Sequence, residues 1–158
     1  MKGSGLIAVA CLAISAGTLA AAPVAAPVIA DAAAVQASNE LGSIASDYVK
    51  LTLALGEKEA GYVDAYYGPP QWAEAAKTDP RDMRELGNAV VDLMLRLDAL
   101  TVSDDPLVEA RKRFLSAQLE AALTRHAMMQ KENFPFAKEA KGLFGVTPEL
   151  KPLAEFDP

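Results

Sequence analysis

Apolar residues recur along this chain at spacings of three and four, the rhythm of side chains on one face of an α-helix. Leu41, Ile44, Tyr48, Leu51 and Leu55 form the first such stripe, with Ser38 or Asn39 placed to cap its start and Gly56 to end it. Met83, Leu86, Val90, Leu93, Leu97 and Leu100 form the second and most regular one. Asp79-Pro80 precedes it, and proline is well tolerated in a first helical turn because its missing N–H has no intrahelical partner there. Ser103-Asp104-Asp105-Pro106 repeats that start chemistry and predicts a third long helix from about Pro106 to Lys131. Its expected inner face carries Leu107, Ala110, Phe114, Ala117 and Ala121, with Leu115, Leu119 and Ala122 beside them. A stripe that wide suits a helix with neighbours on two sides. Phe136 to Phe144, closed by Gly145, reads as a short helix, and Thr147 to Leu150 as one further turn capped by Thr147.

No segment alternates strictly with β-branched residues, so nothing supports a sheet. The expected fold class is all-α, a bundle of about three long antiparallel helices with short helices added. The loop from Leu100 to Asp104 is short enough to join its flanking helices as a hairpin.

The amino-terminal stretch follows a different logic. Lys2 is the only charge before a run of small and apolar residues from Leu6 to Ala22, the build of a secretory signal peptide. Val28-Ile29-Ala30 before Asp31 fits the small-x-small exit, and Val35-Gln36-Ala37 before Ser38 is a second option. The expected organisation is a signal peptide over 1–30, a flexible Ala-rich lead-in over 31–38 and a helical domain over 39–158. The protein would then be exported, periplasmic or secreted, with no stable membrane span once the leader is removed. Cys11, the single cysteine, falls inside the leader, so the mature chain would fold without a disulfide.

Much of the 51% hydrophobic content is alanine in the first forty residues, which lowers the apolar share left for a core. Cleavage after Ala30 removes Lys2 and no acid, taking the formal charge from −6 to −7. Phosphate backbones and anionic lipid surfaces both demand clustered Lys and Arg, so nucleic-acid binding is not expected.

Packing does not account for the segment from Gly56 to Trp72, which holds three of the four tyrosines and the only tryptophan. Pro69 and Pro70 each restrict the residue before them to extended conformations, so the chain leaves Tyr67 in a stiff direction. Clustered aromatics beside such a turn either plug the end of a bundle or line a binding surface. Tyr62, Asp64, Tyr66, Tyr67 and Trp72 are the candidate substrate-binding residues; Asp64 serves either the turn or a ligand.

This segment also resembles a known family. Tyr48-Val49-Lys50-Leu51-x-Leu-x-Leu-Gly56 and the Gly-Tyr-Val-Asp-Ala-Tyr-Tyr-Gly-Pro-Pro run from Gly61 to Pro70 look like the opening of larger, largely uncharacterised bacterial proteins similar to zincin-type metallopeptidases. Arg113-Phe114-Leu115-x-Ala117-Gln118-Leu119 and Phe144-Gly145-Val146 look like their amino-terminal half. The resemblance spans roughly residues 45 to 157. It implies a metal-dependent peptidase-like hydrolase whose zinc site, a His-Glu-x-x-Pro-Gly-His-His-like motif, follows later in the family. This sequence holds one histidine, His126, and no His-Glu-x-x-His spacing. No family catalytic or metal residue maps onto it, and no cofactor is expected in this chain. The chain is therefore expected to be a truncated or split amino-terminal portion, not catalytic alone, partnered by a missing carboxyl-terminal half or a separate protein. A self-standing periplasmic or secreted helical bundle with a binding or structural role is the alternative.

His126, near the end of the third long helix, reads as a partly buried or capping residue favoured by the helix dipole. Glu57 and Glu59 around Lys58 read as an exposed charge cluster, and Asp104 and Asp105 as a helix start.

Overall fold

The computed structural model describes residues 25–101, 104–149 and 151–156, with side chains from residue 35 onward. Among these residues it contains five α-helices: α1 (Ala25–Gly56), α2 (Pro70–Thr78), α3 (Met83–Asp98), α4 (Pro106–Met129) and α5 (Phe136–Phe144). A single 3-10 turn, Leu153–Glu155, follows. No strand occurs among the described residues, so the protein is an all-α helical bundle. The long helices α1, α3 and α4 pack mutually, α2 rests on α1, and α5 leans on α4 alone. No described helix is long and apolar enough to cross a membrane.

The core is the meeting of the stripes. Leu41, Ile44, Leu51 and Leu55 of α1 are buried, with Tyr48 half-buried between them. Leu53 and Ala54 are buried too, because α1 has α2, α3 and α4 around it. Leu86, Val90, Leu93 and Leu97 of α3 complete that layer, with Met83 and Leu100 packed at its edges. At roughly 25 cal/mol per Å² of apolar surface removed from water, a fully buried leucine contributes about 2 kcal/mol. Arg96 adds a polar clamp between α3 and α1. It donates to Asp47 at 2.9 Å and to Glu40 at 2.9 and 3.2 Å.

The inner face of α4 differs from expectation. Leu115, Leu119, Ala122 and His126 are buried, flanked by Val108 and Met129, whereas Leu107, Ala110, Phe114 and Ala117 are exposed. The helix carries apolar residues on two adjacent rows. Periodicity gives the repeat but not the phase, and one residue of phase turns the helix by about 100°.

Several ends also differ. The helix α1 runs through residues 31–38, where a flexible lead-in was expected, so neither Ser38 nor Asn39 starts it. Alanine, the best helix former, dominates there and no glycine interrupts it before Gly42. Residues 1–24, most of the expected signal peptide including Cys11, lie outside the described residues. The start of α3 is Asp82, not Asp79-Pro80. Asp82 accepts from the Glu85 N–H and Glu85 accepts from the Asp82 N–H, both at 2.8 Å, a reciprocal capping box. Asp79 instead closes α2, its N–H donating to the Ala75 carbonyl at 3.0 Å. The helix α2 itself was not expected; Pro70 occupies its first turn.

The start of α4 follows the sequence expectation: Asp105 accepts from the Leu107 N–H at 2.8 Å ahead of Pro106. Val102 and Ser103 in the preceding loop lie outside the described residues. The helix α5 spans Phe136–Phe144 as expected, ended by Gly145 at φ 71°, a left-handed conformation that favours glycine. Residues 147–149 form no turn, and Leu150 lies outside the described residues. A turn started at Thr147 would meet Pro152, which holds Lys151 extended and lacks a donor.

Candidate functional site

The segment between α1 and α2 is built from short local bonds. The chain leaves α1 through Lys58 and Glu59, whose N–H groups both donate to the Leu55 carbonyl. Gly61, at φ 83°, then turns it back, and the Tyr62 N–H donates to the Glu59 carbonyl at 3.2 Å. Tyr62 and Val63 pack onto the core. The Tyr66 hydroxyl donates to the Pro69 carbonyl at 3.1 Å, locking the turn that feeds α2. Its ring covers Gly68 so closely that a β-carbon there would stand 2.4 Å from the hydroxyl oxygen.

The five aromatic and acidic residues singled out in the sequence therefore separate. Tyr62 faces α4, Tyr66 is engaged in its own turn, and Asp64 and Tyr67 are exposed, Tyr67 almost fully. Trp72 lies on α2 against α1, with the Lys50 ammonium 5.1 Å from its ring centroid. It borders a separate hollow of about 280 Å³ with Ala76, Asp79 and Arg81.

Tyr62 opens onto the more polar cleft, about 290 Å³, between the end of α1, the Glu59–Tyr62 turn, α4 and α5. Tyr48, Glu59, Gln118, Arg125 and Leu143 line it with Tyr62. The Tyr48 hydroxyl donates to Gln118 Oε1 at 3.0 Å. Arg125 Nε donates to Glu59 Oε2 at 2.7 Å, and its Nη2 pairs with the other carboxylate oxygen, a two-point clamp from α4 to the turn. The hydrogen bonds to Glu59 hold Arg125 firmly in its charged form. Burial pushes the Tyr62 phenol up to about 12, helped by nearby Tyr48 and opposed by Arg125. Burial raises the Tyr48 phenol as well. Both hydroxyls are therefore neutral donors at physiological pH.

Tyr48, Gln118 and Arg125 were not among the expected site residues, and Glu59 was read as part of an exposed charge cluster. Glu59 and Arg125 are 66 positions apart and Tyr48 and Gln118 are 70 apart, separations that carry no local signal.

His126 is buried in α4. Its Nε2 lies 2.6 Å from the Met83 carbonyl, which only accepts, so that nitrogen carries the proton. Its Nδ1 accepts from the Gln130 amide at 3.3 Å. Both nitrogens of the single imidazole are engaged, and among the described residues no three His, Cys, Asp or Glu side chains are grouped as ligands.

A second feature lies on α5 and beyond it. Gly142 of α5 approaches Thr124 of α4 so closely that a β-carbon would meet the Thr124 hydroxyl at 2.4 Å. Along this stretch Phe136 is 63% exposed, Phe144 74%, Leu153 84% and Phe156 70%. No described helix packs against Leu153–Glu155, and every described residue from 151 to 156 is exposed.

Fold and cleft together define the class: a small all-α bundle with a polar cleft where α4 meets the turn after α1. No family model, curated protein or solved structure matches the chain.

Proposed function

We propose that this chain is an exported helical binding module, the amino-terminal portion of a metallopeptidase-like protein, and that it is not catalytic by itself. It docks further polypeptide of that protein through α5 and the segment after it. The observation that carries this reading is the series of exposed apolar side chains Phe136, Phe144, Val146, Leu153 and Phe156. Single exposed apolar residues are ordinary on a soluble protein, whereas several in one short stretch mark a surface that something else covers. The docking partner in this reading is the carboxyl-terminal half that the sequence resemblance implies, on the same or a separate polypeptide.

A self-standing periplasmic or secreted bundle with a binding or structural role is the second reading. What favours it is a closed core: Leu41, Ile44, Leu55, Leu86, Val90 and Leu119 are fully buried. No buried side-chain polar atom among the described residues lacks a partner.

Thermal unfolding with anilinonaphthalene sulfonate present separates the two. The docking reading expects a cooperative transition and dye bound to the folded state, reduced in Phe144→Ser and Phe156→Ser. Co-expression with the polypeptide encoded immediately downstream should abolish the dye signal and raise the midpoint. A sharp transition with no dye binding and no association would support the self-standing bundle. Stoichiometric zinc together with peptide turnover by the isolated chain would overturn the non-catalytic reading.

A further inference from the structure

The cleft beside Tyr62 holds more hydrogen-bond donors than its acceptors use. Arg125 carries five N–H groups. Its clamp on Glu59 engages Nε and Nη2, leaving Nη1 and one hydrogen of Nη2 without a partner among the described residues. Gln118 accepts from Tyr48 through Oε1, and its amide NH2 has no partner there. The Tyr62 hydroxyl has none either, although the residue lines the same cavity. The carboxylate and amide oxygens are already engaged. Glu59 gives both oxygens to Arg125, and Gln118 gives its oxygen to Tyr48. A cleft with three groups of unused donors, and with its carboxylate and amide oxygens committed, matches a ligand made of acceptors.

We propose that this cleft binds a small monocarboxylate, held by the Tyr62 hydroxyl, the Gln118 amide and the outer N–H groups of Arg125. A carboxylate presents two oxygens and no donor, and it pairs well with a guanidinium edge. Arg125 and Glu59 sum to zero charge, and Glu139 of α5 also acts on Arg125, so the cleft does not have the excess positive charge that a phosphate dianion would need. A cation finds no uncommitted carboxylate among the lining residues, since Glu59 is clamped on both oxygens. The remaining wall is apolar, formed by Ala60, Ala121 and Leu143, and suits a short aliphatic tail. At about 30 Å³ per water-sized unit, the 290 Å³ cavity holds roughly ten non-hydrogen atoms. This inference is independent of the docking reading, because the cleft is formed by residues within the bundle.

Titration of the purified, 15N-labelled chain with butyrate at constant ionic strength tests it. Saturable shifts are expected at the Gly61 amide, the Gln118 side-chain amide and the Arg125 Nε–H, in the millimolar range that so few ligand atoms allow. Butyramide, with the same skeleton and no charge, should bind about tenfold more weakly or worse. Gln118→Glu keeps the oxygen that Tyr48 donates to, removes the amide donors and adds a like charge. It should weaken butyrate about tenfold or more while leaving the thermal midpoint close to that of the parent. Absence of saturation below about 100 mM would overturn the proposal. Equal affinity for butyramide, or unchanged butyrate binding in a folded Gln118→Glu variant, would overturn it as well.

Discussion

A β-carbon on Gly87 of α3 would stand 2.7 Å from Cε1 of His126 and 3.0 Å from its Nε2. The two helices come this close because α3 has no side chain where the imidazole crosses it, and the ring then reaches the Met83 carbonyl at 2.6 Å. Mid-helix glycine normally costs about 1 kcal/mol relative to alanine. Here the close approach reverses that sign. Gly87→Ala is expected to lower stability by about 1–3 kcal/mol, measured by urea unfolding, because the buried ring has nowhere to move. In a His126→Ala background the same substitution should be neutral or stabilising. A Gly87→Ala variant more stable than its parent would show that the helices separate at little cost.

That contact also shows where sequence reading stops. The stripes of α1 and α3 were legible because several of their members have polar residues or glycine on both sides, as Leu41 has Glu40 and Gly42, Leu51 has Lys50 and Thr52, and Leu97 has Arg96 and Asp98. In α4, Phe114 and Leu115 are adjacent and Ala121 and Ala122 are adjacent, so the period holds for two faces and only the packed neighbours choose between them. The helix α2 was missed because Ala76 is the only residue it buries, leaving no stripe to read. Of the cleft, Tyr62 stood out through its unusual surroundings. Its partners did not, because Glu59 meets Arg125 and Tyr48 meets Gln118 only after α4 folds back across α1.

The capping box at the start of α3 gives a second prediction. Asp82→Ala removes the acceptor of the Glu85 N–H and leaves Glu85 without its reciprocal role. The expected loss is about 1 kcal/mol, within a range of roughly 0.5–2. Asp79→Ala should have little effect, because Asp79 contributes a backbone bond to α2 and no side-chain cap. Comparing the two by chemical denaturation distinguishes the observed helix start from the Asp79-Pro80 alternative.

Arg96 gives a pH prediction. Burial alone would raise the Asp47 carboxyl, but hydrogen bonds from Arg96 and Lys50 outweigh it and hold the group below its ordinary value of 3.8. A carboxylate depressed in the folded state contributes stability above its unfolded value, and that contribution is lost as pH falls through the folded one. The clamp between α1 and α3 should therefore weaken below pH 3.8. Asp47→Asn is expected to be less stable than the parent near neutrality and to show a shallower loss of stability in acid. Added salt should narrow the difference, since the pair is partly exposed. Parallel acid-unfolding curves for parent and variant would exclude this pair as a contributor.

Tyr62 makes the opposite prediction at the alkaline end. Its phenol is pushed from 10.0 to about 12, first by burial. A group whose value is raised on folding keeps its full contribution below the unfolded value and loses it as pH rises through the folded one. Between pH 10 and about 12 the unfolded phenol is ionised while the folded one holds its proton, so the parent should lose stability across that window. Tyr62→Phe keeps the ring packed and removes the ionisable hydroxyl. It should flatten the alkaline arm of the stability curve and delete one late-ionising phenol from the tyrosinate absorbance titration. Tyr48, also raised by burial, remains as an internal reference in the variant. Should the variant keep the full alkaline arm and every late-ionising phenol, burial of the Tyr62 ring would not be what raises its phenol.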